Sequence, residues 1–302
     1  MAVSKTESVK AQTIVFYNVE NLFHPDKDSI HADDDFTPDG KYRWTKRRYY
    51  NKLHQIAKVI TCIDSDYPML VGLCEVENSR CLSDLCRQMP QARYKYIHYE
   101  SPDRRGIDVA LLYDSVAFKP LIIRPLTVYL DSVTTTRDIL YVKGCGYGID
   151  TLNIFVCHLP SQLGGSRASQ WKRTKAKHIL QSAIDSIVNE RADSRIIVCG
   201  DMNSAPKNDL NGLSNLMVNS GLEGTHRYNG QWTLLDQFYV SYSVGIADSL
   251  SVSIFSPDWL LERDDKYLGY RPLRTFRGYK YNSSGFSDHL PIVLRLKNGT
   301  RN

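Results

Sequence analysis

Long apolar runs are absent from this 302-residue chain, and no stretch approaches the length that a membrane-spanning helix needs. The first residues, "MAVSKTESVKAQ", also lack the apolar segment of a secretory signal. We therefore expect no membrane span and a cytoplasmic protein as written, or a secreted or periplasmic one if a leader has been removed. Repeats, low-complexity segments and Pro/Ser-rich linkers are missing too, which favours one domain.

Paired cysteine motifs are also lacking. The seven cysteines are odd in number and form no C-x-x-C pair. Cys74, Cys157 and Cys199 lie in apolar, strand-like runs, where a free cysteine behaves as a small buried hydrophobe. Cys81 and Cys86 could supply half of a zinc site, but no second Cys/His pair has a suitable spacing. We interpret the set as reduced thiols, which favours a reducing compartment.

The overall composition is that of a soluble globular protein, with 42% hydrophobic and 24% charged residues. The net charge of +5 favours an anionic partner only weakly, because such a balance changes encounter rates rather than identity.

Short β-like runs and helical patterns interleave along the whole chain, which predicts one α/β domain over residues 13–298 after a short extension over residues 1–12. Several β-like runs are almost wholly apolar, as in strands buried on both faces. Apolar residues at helical spacing predict helices over residues 45–63 and 168–190. A third, shorter helix is predicted over residues 211–222, ending at Gly221.

Many of the β-like runs end in a polar residue. Taken singly, each such residue is explained by a turn or a helix cap, or, for a histidine, by a satisfied core position. Glu75 is harder to explain in this way, because a buried carboxylate needs a partner or a metal. Together the set suits a hard divalent cation and a phosphoryl group. Its members are Asn18, Glu75, His158, Asp201, Asn203, Asp236, Asp288 and His289.

The motifs around these residues closely resemble those of the endonuclease/exonuclease/phosphatase superfamily, in the same order and from residue 14 to about residue 293. They are "YNVENLF", "CEVEN", "RGIDVALLY", "CHLPS…GG", "GDMNS", "LLDQFYVS" and "SDHLPI". Their details are most similar to a poorly characterised bacterial branch. The resemblance implies a DNase I-like fold: a four-layer α/β/β/α sandwich of two mixed β-sheets, with the active site at one edge.

The resemblance also implies a magnesium or manganese site. Glu75 matches the main metal-binding carboxylate of the family, Asn18 lies beside it, and Asp288 is close to the metal. Asp201 matches the residue that orients or deprotonates the attacking water. This division of roles is chemically sensible, because a carboxylate acts as a base only if it is not itself a tight metal ligand.

Two histidines match the family's phosphate-binding pair. His289 corresponds to the histidine on a phosphate oxygen, and Asp236 to the carboxylate that orients it. His158 corresponds to the second phosphate-binding histidine, for which Asp108 is the expected carboxylate partner. Asn203 matches the amide that holds the phosphate.

Two basic, aromatic segments are candidates for gripping the substrate. "RPLRTFRGYKY", residues 271–281, contributes Arg274 and Tyr281, and Arg105 and Arg167 are further candidates for phosphate contacts. "KYRWTKRRYY", residues 41–50, has the same mixture, but the start of a solvated helix explains it more often.

We therefore expect a monomeric, Mg²⁺- or Mn²⁺-dependent phosphoester hydrolase. The favoured activity is a phosphodiesterase or endonuclease that cleaves nucleic acid by in-line attack of an activated water. The alternatives are a phosphatase, a phospholipid phosphodiesterase similar to sphingomyelinases, and a catalytically silent binding module.

Overall fold

The computed structural model of the chain describes residues 12–27, 34–131, 134–146, 149–162 and 165–298, so residues 1–11 of the expected extension lie outside it. Within these residues the α-helices are α1 (Lys46–Ile63), α2 (Ser79–Arg87), α3 (Ser166–Glu190) and α4 (Tyr242–Ala247). The strands are β1 (Gln12–Leu22), β2 (Leu70–Val76), β3 (Tyr94–His98), β4 (Asp108–Asp114), β5 (Phe118–Leu126), β6 (Ile139–Gly146), β7 (Ile149–His158), β8 (Ile196–Asp201), β9 (Leu213–Asn215), β10 (His226–Tyr228), β11 (Gln231–Thr233), β12 (Asp236–Ser241), β13 (Asp248–Ile254), β14 (Leu261–Arg263), β15 (Tyr270–Pro272), β16 (Phe276–Arg277), β17 (Lys280–Tyr281) and β18 (Ile292–Asn298).

Most of the strands form two mixed sheets. The first sheet has the order β13-β18-β1-β2-β4-β3, and the second has the order β5-β6-β7-β8-β12-β9. In each sheet one central pair is parallel, β1 with β2 and β7 with β8, while the other neighbours are antiparallel. The short hairpins β10–β11, β14–β15 and β16–β17 stand outside these sheets.

The two sheets pack face to face and carry helices on their outer faces. The central layer contains Phe16, Val156 and Phe238, which are fully buried, and each such side chain contributes about 1.5–3 kcal/mol. Helices α1 and α2 cover the first sheet, and α3 covers the second. This arrangement is the α/β/β/α sandwich, so the fold predicted from the resemblance is confirmed.

The amphipathic pattern of α1 explains its place in the fold. Tyr49, Leu53, Ile56 and Ile60 are all buried against the first sheet, as their spacing predicts. Thr45 begins the helix, because its side chain accepts a hydrogen bond from the backbone N–H of Arg48. The prediction that Trp171 belongs to the buried face of α3 is wrong, since this side chain is 49% exposed.

The predicted third helix is also wrong. Leu213–Asn215 forms β9, a short edge strand that pairs with β12. The Asn215 amide donates to Lys207 O and to Gln237 Oε1, so the strand is held by contacts that the local pattern does not contain. Helix α2 was not predicted. It contains Cys81 and begins at an Asn78 cap, whose side chain accepts from Cys81 N.

All seven cysteines lie within the described residues and are free thiols, and Cys74, Cys157 and Cys199 are buried as expected. Among the described helices, none combines the length and the apolar character needed to cross a bilayer.

Strand direction brings the polar strand ends to one edge of the sandwich. In the first sheet, Asn18 at the end of the regular part of β1 is paired with Cys74, next to Glu75, and the segment with Asp288 and His289 leads into β18 beside Phe16. In the second sheet, Asp201 is paired with both His158 and Asp236.

Candidate active site

The two sheets contribute to a single polar cluster at this edge. Asn18 Nδ2 from the first sheet donates to Asp201 Oδ2 of the second at 3.2 Å and lies 3.4 Å from Glu75 Oε1. His158 Nε2 lies 3.7 Å from Asp201 Oδ2 and 3.9 Å from Glu75 Oε1. His289 Nε2 lies 3.9 Å from the same Asp201 oxygen. Residues separated by up to 271 positions therefore meet around Asp201.

Glu75 is presented by an irregularity in β2. The register of β2 shifts between Cys74 and Val76, and Glu75 itself has φ of 64°, in the left-handed region. Its Oε2 accepts a hydrogen bond from Asn21 N at 2.9 Å. A left-handed non-glycine residue costs of order 1–3 kcal/mol, and such strain is found at functional sites. Asn203, with φ of 48°, is a second example in this cluster.

Asp201 is buried and carries two hydrogen bonds. Its Oδ1 accepts from Asn203 N at 2.9 Å, and its Oδ2 accepts from Asn18. Burial, with help from the charges of Asp236 and Glu75, raises the pKa of Asp201 to about 7 against the opposing effect of His289. The Asn203 amide donates one hydrogen to Leu159 O at 3.0 Å, which leaves its second hydrogen for another acceptor.

His289 and Asp236 form a buried pair. His289 Nδ1 lies 2.7 Å from Asp236 Oδ2, which orients the ring so that Nε2 faces Asp201. Burial alone would lower the pKa of His289, but Asp236, Asp201 and Asp288 outweigh it and hold the pKa well above its usual range. Ser287 fixes the segment, because its hydroxyl accepts from His289 N and donates to Asn18 O.

His158 has a different environment from the one expected. Asp108 is not its partner in the structure: Asp108 accepts from Ser101 N and Ser101 Oγ, and lies 3.6 Å from His98 Nε2. In the described part of the chain, His158 Nδ1 has no hydrogen-bond partner. Burial lowers the pKa of His158 well below its usual range, and the charges of Arg137 and Arg105 lower it further. These opposite shifts favour the neutral form of His158 and the cationic form of His289.

Arg137 is a buried cation that sequence reasoning missed. Its guanidinium donates to His158 O at 3.1 Å and to Leu159 O at 3.2 Å, and it pairs with Asp103 at 3.2 Å. It therefore holds the chain that follows β7. In the sequence, Arg137 is marked only as an arginine before an apolar run, and this pattern is too common to identify a residue of the site.

Asp288 lies at the other side of the cluster, and Arg274 is bound to it. Arg274 Nη2 donates to Asp288 Oδ2 at 2.9 Å, and Arg274 Nε lies 3.5 Å from Glu20 Oε1. Burial alone would raise the pKa of Asp288, but His289 and Arg274 outweigh it and lower the pKa.

Glu20 and Lys52 are buried ionisable residues beneath this segment that both bind Thr275 and interact electrostatically, and sequence reasoning did not identify either of them. Glu20 accepts from Thr275 N at 2.6 Å and from Phe276 N at 3.3 Å, while the Lys52 ammonium donates to Thr275 Oγ1 and to Phe286 O. Burial raises the pKa of Glu20 to about 7 and lowers that of Lys52 to about 8. The pair ties α1 to the segments that carry Arg274 and Asp288.

Of the residues expected to contact the substrate, Arg105 lies near the cluster, whereas Tyr281 packs elsewhere. Arg105 is 53% exposed, lies 3.6 Å from Asp103 and is close enough to His158 to affect its pKa. Arg167 is exposed at the start of α3. Tyr281 packs on α1 instead, where its hydroxyl accepts from Asn51 Nδ2 and Arg48 lies 4.7 Å above its ring.

The basic segment of residues 41–50 is mainly structural. Trp44 and Tyr49 are buried, and Arg48 donates to the backbone carbonyls of Tyr42 and Arg43 at the start of α1.

His226 is a further aromatic neighbour that sequence reasoning missed. Its ring centroid lies 4.8 Å from that of His289, with 37° between the planes, and the two residues also form an isolated β-bridge. Burial and the charge of His289 lower the pKa of His226 to about 4.

The donor set suits a hard divalent cation. Four carboxylates, Glu75, Asp201, Asp236 and Asp288, converge here, while the cations in contact with them are His289 and Arg274. Asp236 Oδ1 is buried without a hydrogen-bond partner among the described residues. Asp201, Asp236 and His289 place one side-chain oxygen or nitrogen each within 4.8 Å of the others, and of these three the two carboxylates remain available to a cation when His289 is protonated. Carboxylate oxygens in excess of positive charge are what Mg²⁺ and Mn²⁺ prefer.

A family model identifies the family to which the chain belongs. The model described as Endonuclease/Exonuclease/phosphatase family matches residues 13–298, and the chain belongs to this family, whose members hydrolyse phosphoesters with divalent metals. No curated protein sequence matches the chain.

Several solved structures share the fold. Truncated TDP2 from Caenorhabditis elegans is 15% identical, with a TM-score of 0.62 over 95% of this chain and 97% of that one. The human Nocturnin catalytic domain with bound sulfate is 14% identical, with a TM-score of 0.62 over 96% and 95%. A mannosyl-6-phosphatase from Bacteroides thetaiotaomicron is 15% identical, with a TM-score of 0.59 over 94% and 99%.

Proposed function

We propose that this chain is a divalent-cation-dependent phosphodiesterase that cleaves nucleic acid by in-line attack of water. The observation that carries the proposal is a continuous set of polar contacts of 3.2 to 3.9 Å that links Asn18, Glu75, His158, Asp201 and His289 at one edge of the sandwich. The family hydrolyses phosphoesters, and each of the groups that such a reaction needs is present in this cluster.

Asp201 accepts the proton of the attacking water. Its pKa of about 7 suits a general base at neutral pH, and Asn18 and Asn203 hold its two oxygens in place.

The two histidines bind the phosphoryl oxygens in complementary ways. His289 supplies a positive charge because Asp236 keeps it protonated, and His158 supplies a neutral N–H donor because burial keeps it unprotonated. The second amide hydrogen of Asn203 reaches a further phosphoryl oxygen. These donors stabilise the charge that develops in the transition state.

Glu75, Asn18 and Asp288 hold the divalent cation. When bound, Mg²⁺ or Mn²⁺ neutralises negative charge on the phosphoryl group and on the leaving oxygen. Arg274 keeps the Asp288 side chain in position, and Asn21 does the same for Glu75 through its backbone N–H.

Nucleic acid is the favoured substrate because cationic and aromatic side chains surround the cluster. Arg105 and Arg274 are partly exposed beside it, and His226 adds a ring next to His289. Cations of this kind hold a phosphate backbone, and rings of this kind stack on bases. TDP2 and Nocturnin have the same fold, as does a mannosyl-6-phosphatase, so a sugar phosphate belongs among the compounds to be tested.

A hydrolysis panel tests the proposal. Single-stranded DNA, plasmid DNA, RNA, mannose 6-phosphate and sphingomyelin are each incubated with Mg²⁺, with Mn²⁺ and with EDTA, using the wild type and Asp201→Asn. We expect cleavage of a nucleic acid that EDTA abolishes and that Asp201→Asn reduces by at least about a hundredfold. If mannose 6-phosphate is the only compound that is hydrolysed, the chain is a phosphatase and the proposed phosphodiesterase activity is refuted. If both proteins are equally inactive towards all substrates, the proposal that the chain is an enzyme is refuted.

A further inference from the structure

The β10–β11 hairpin packs beside His289. Its first strand starts at His226, whose ring lies against the His289 ring and whose backbone bridges to His289. The preceding Thr225 anchors this strand, because its carbonyl accepts from Leu290 N at 2.8 Å. The hairpin therefore rises directly from the segment that carries the phosphate-binding histidine.

The two faces of the hairpin differ. Register pairs His226 with Thr233, Arg227 with Trp232, and Tyr228 with Gln231. Side chains alternate along a strand, so His226 and Tyr228 share one face, and Arg227 and Trp232 share the other. The Trp232 face packs against the core of the first sheet, while Tyr228 is 69% exposed. This face therefore carries two rings, the partly buried His226 beside His289 and the exposed Tyr228 further along the strand.

The β10–β11 hairpin is held in place, because Arg227 joins it to the β14–β15 hairpin. Its guanidinium donates to Gly230 O at 3.1 Å, to Tyr270 O at 2.9 Å and to Leu268 O at 2.6 Å. The turn requires glycine: Gly230 has φ of +80°, and a Cβ there would lie 2.8 Å from Tyr267 Cβ. A flat group that binds this face meets a surface that is already ordered, which reduces the entropic cost of binding.

We propose that His226 and Tyr228 form a stacking subsite for the nucleobase attached to the scissile phosphate. The inference rests on the proposed function and narrows its substrate to a strand whose bases are unpaired near the cleavage point. Side chains two residues apart on a strand are separated by about 6.6–6.8 Å, which leaves room for one base between or across the two rings. Every base has a flat face, so this subsite binds a base without selecting its identity.

Two substrates of equal charge test the subsite: a six-nucleotide single-stranded DNA, and the same backbone carrying abasic tetrahydrofuran units. We expect wild-type kcat/KM to favour the base-bearing strand by about 5- to 100-fold, the range for stacking on one base. Tyr228→Ala and His226→Ala should each bring this ratio close to one, mainly through KM, while Tyr228→Phe should restore most of it. Tyr242→Ala is the matched control, since Tyr242 is 80% exposed and follows β12 at the end opposite Asp236.

The outcomes separate the subsite from the proposed function. An unchanged ratio in Tyr228→Ala, or an equal loss on both substrates, overturns the subsite while hydrolysis persists. If the wild type cleaves neither these strands nor RNA, the proposed function fails, and the subsite is judged by fluorescence anisotropy with the same two strands and Mg²⁺. Tyr228→Ala must then weaken binding of the base-bearing strand at least fivefold, and a smaller change overturns the subsite.

Discussion

Replacing Lys52 by methionine is expected to destabilise the protein strongly. Lys52 is 1% exposed, and its ammonium donates to Thr275 Oγ1 and Phe286 O beside the 2% exposed Glu20. Methionine fills a similar volume but removes two hydrogen bonds and the positive charge of Lys52 that, with Arg274, offsets the buried charge of Glu20. Removing one of several coupled buried charges in this way costs about 3–5 kcal/mol, because the remaining charge keeps its desolvation penalty.

The assay is urea unfolding followed by circular dichroism, together with a thermal scan. The midpoint in urea should fall at constant m, and Tm should fall by about 5–8 °C for a chain of this size. Lys46→Met is the matched control on the same helix. Lys46 is 70% exposed and 3.6 Å from Asp26, so its loss should cost less than about 1 kcal/mol.

Adding Glu20→Gln to Lys52→Met tests the cause of the destabilisation. The amide carries no charge, so the double variant should be more stable than Lys52→Met alone by at least about 1 kcal/mol. A Lys52→Met protein within about 1 kcal/mol of the wild type would refute the argument. So would a double variant that is less stable than the single one.

The remaining predictions concern the cluster itself. Asp236→Asn should lower kcat by about a thousandfold or more, because the amide no longer keeps His289 oriented and charged; a loss of less than tenfold at saturating substrate would contradict the role of this pair. Glu75→Gln should raise the Mg²⁺ concentration for half-maximal activity at least about tenfold, and an unchanged Mg²⁺ titration would remove Glu75 from the metal site. Gly200→Ala should cost about 1–3 kcal/mol in urea unfolding, because a Cβ there would lie 2.3 Å from Cys157 O, and a neutral substitution would mean that β7 and β8 can separate locally.

The central strands could be predicted from the sequence because their burial leaves a strong local pattern. Ile196–Asp201 is buried at every position, and such a strand appears in the sequence as an almost continuous apolar run. The polar residue at the end of each run then marks the edge where these strands stop. This is why Glu75 and Asp201 could be identified, while the resemblance adds His289, which lies just before β18.

The elements that were missed depend on tertiary contacts. Leu213–Asn215 has an apolar spacing that also suits a helix, and pairing with the edge of β12 decides the outcome. Helix α2 is short and begins at the Asn78 cap directly after the conspicuous "CEVEN" motif. Local patterns do not resolve such short segments reliably.

The supporting residues of the site could not be predicted for a related reason. Lys52 is separated from Thr275 by 223 positions, and Glu20 from Thr275 by 255. Arg137 reaches His158 O across neighbouring strands. Asp108 is the opposite case, a residue for which the sequence suggested a wrong partner. Its position in "RGIDVALLY" predicted a contact with His158, but both of its carboxylate oxygens accept hydrogen bonds from Ser101 instead. Only the assembled sandwich determines these partners.

The most direct test of water attack at this cluster is a single turnover in ¹⁸O-labelled water, with the products analysed by mass spectrometry. A phosphodiester substrate is incubated with an excess of enzyme and Mg²⁺, and the wild type is compared with Asp201→Asn. We predict one ¹⁸O atom in the phosphate-bearing product, none in the alcohol product, and a rate at least about a hundredfold lower in Asp201→Asn. Label in the alcohol, or an unchanged rate in Asp201→Asn, would contradict attack on phosphorus by a water that Asp201 activates.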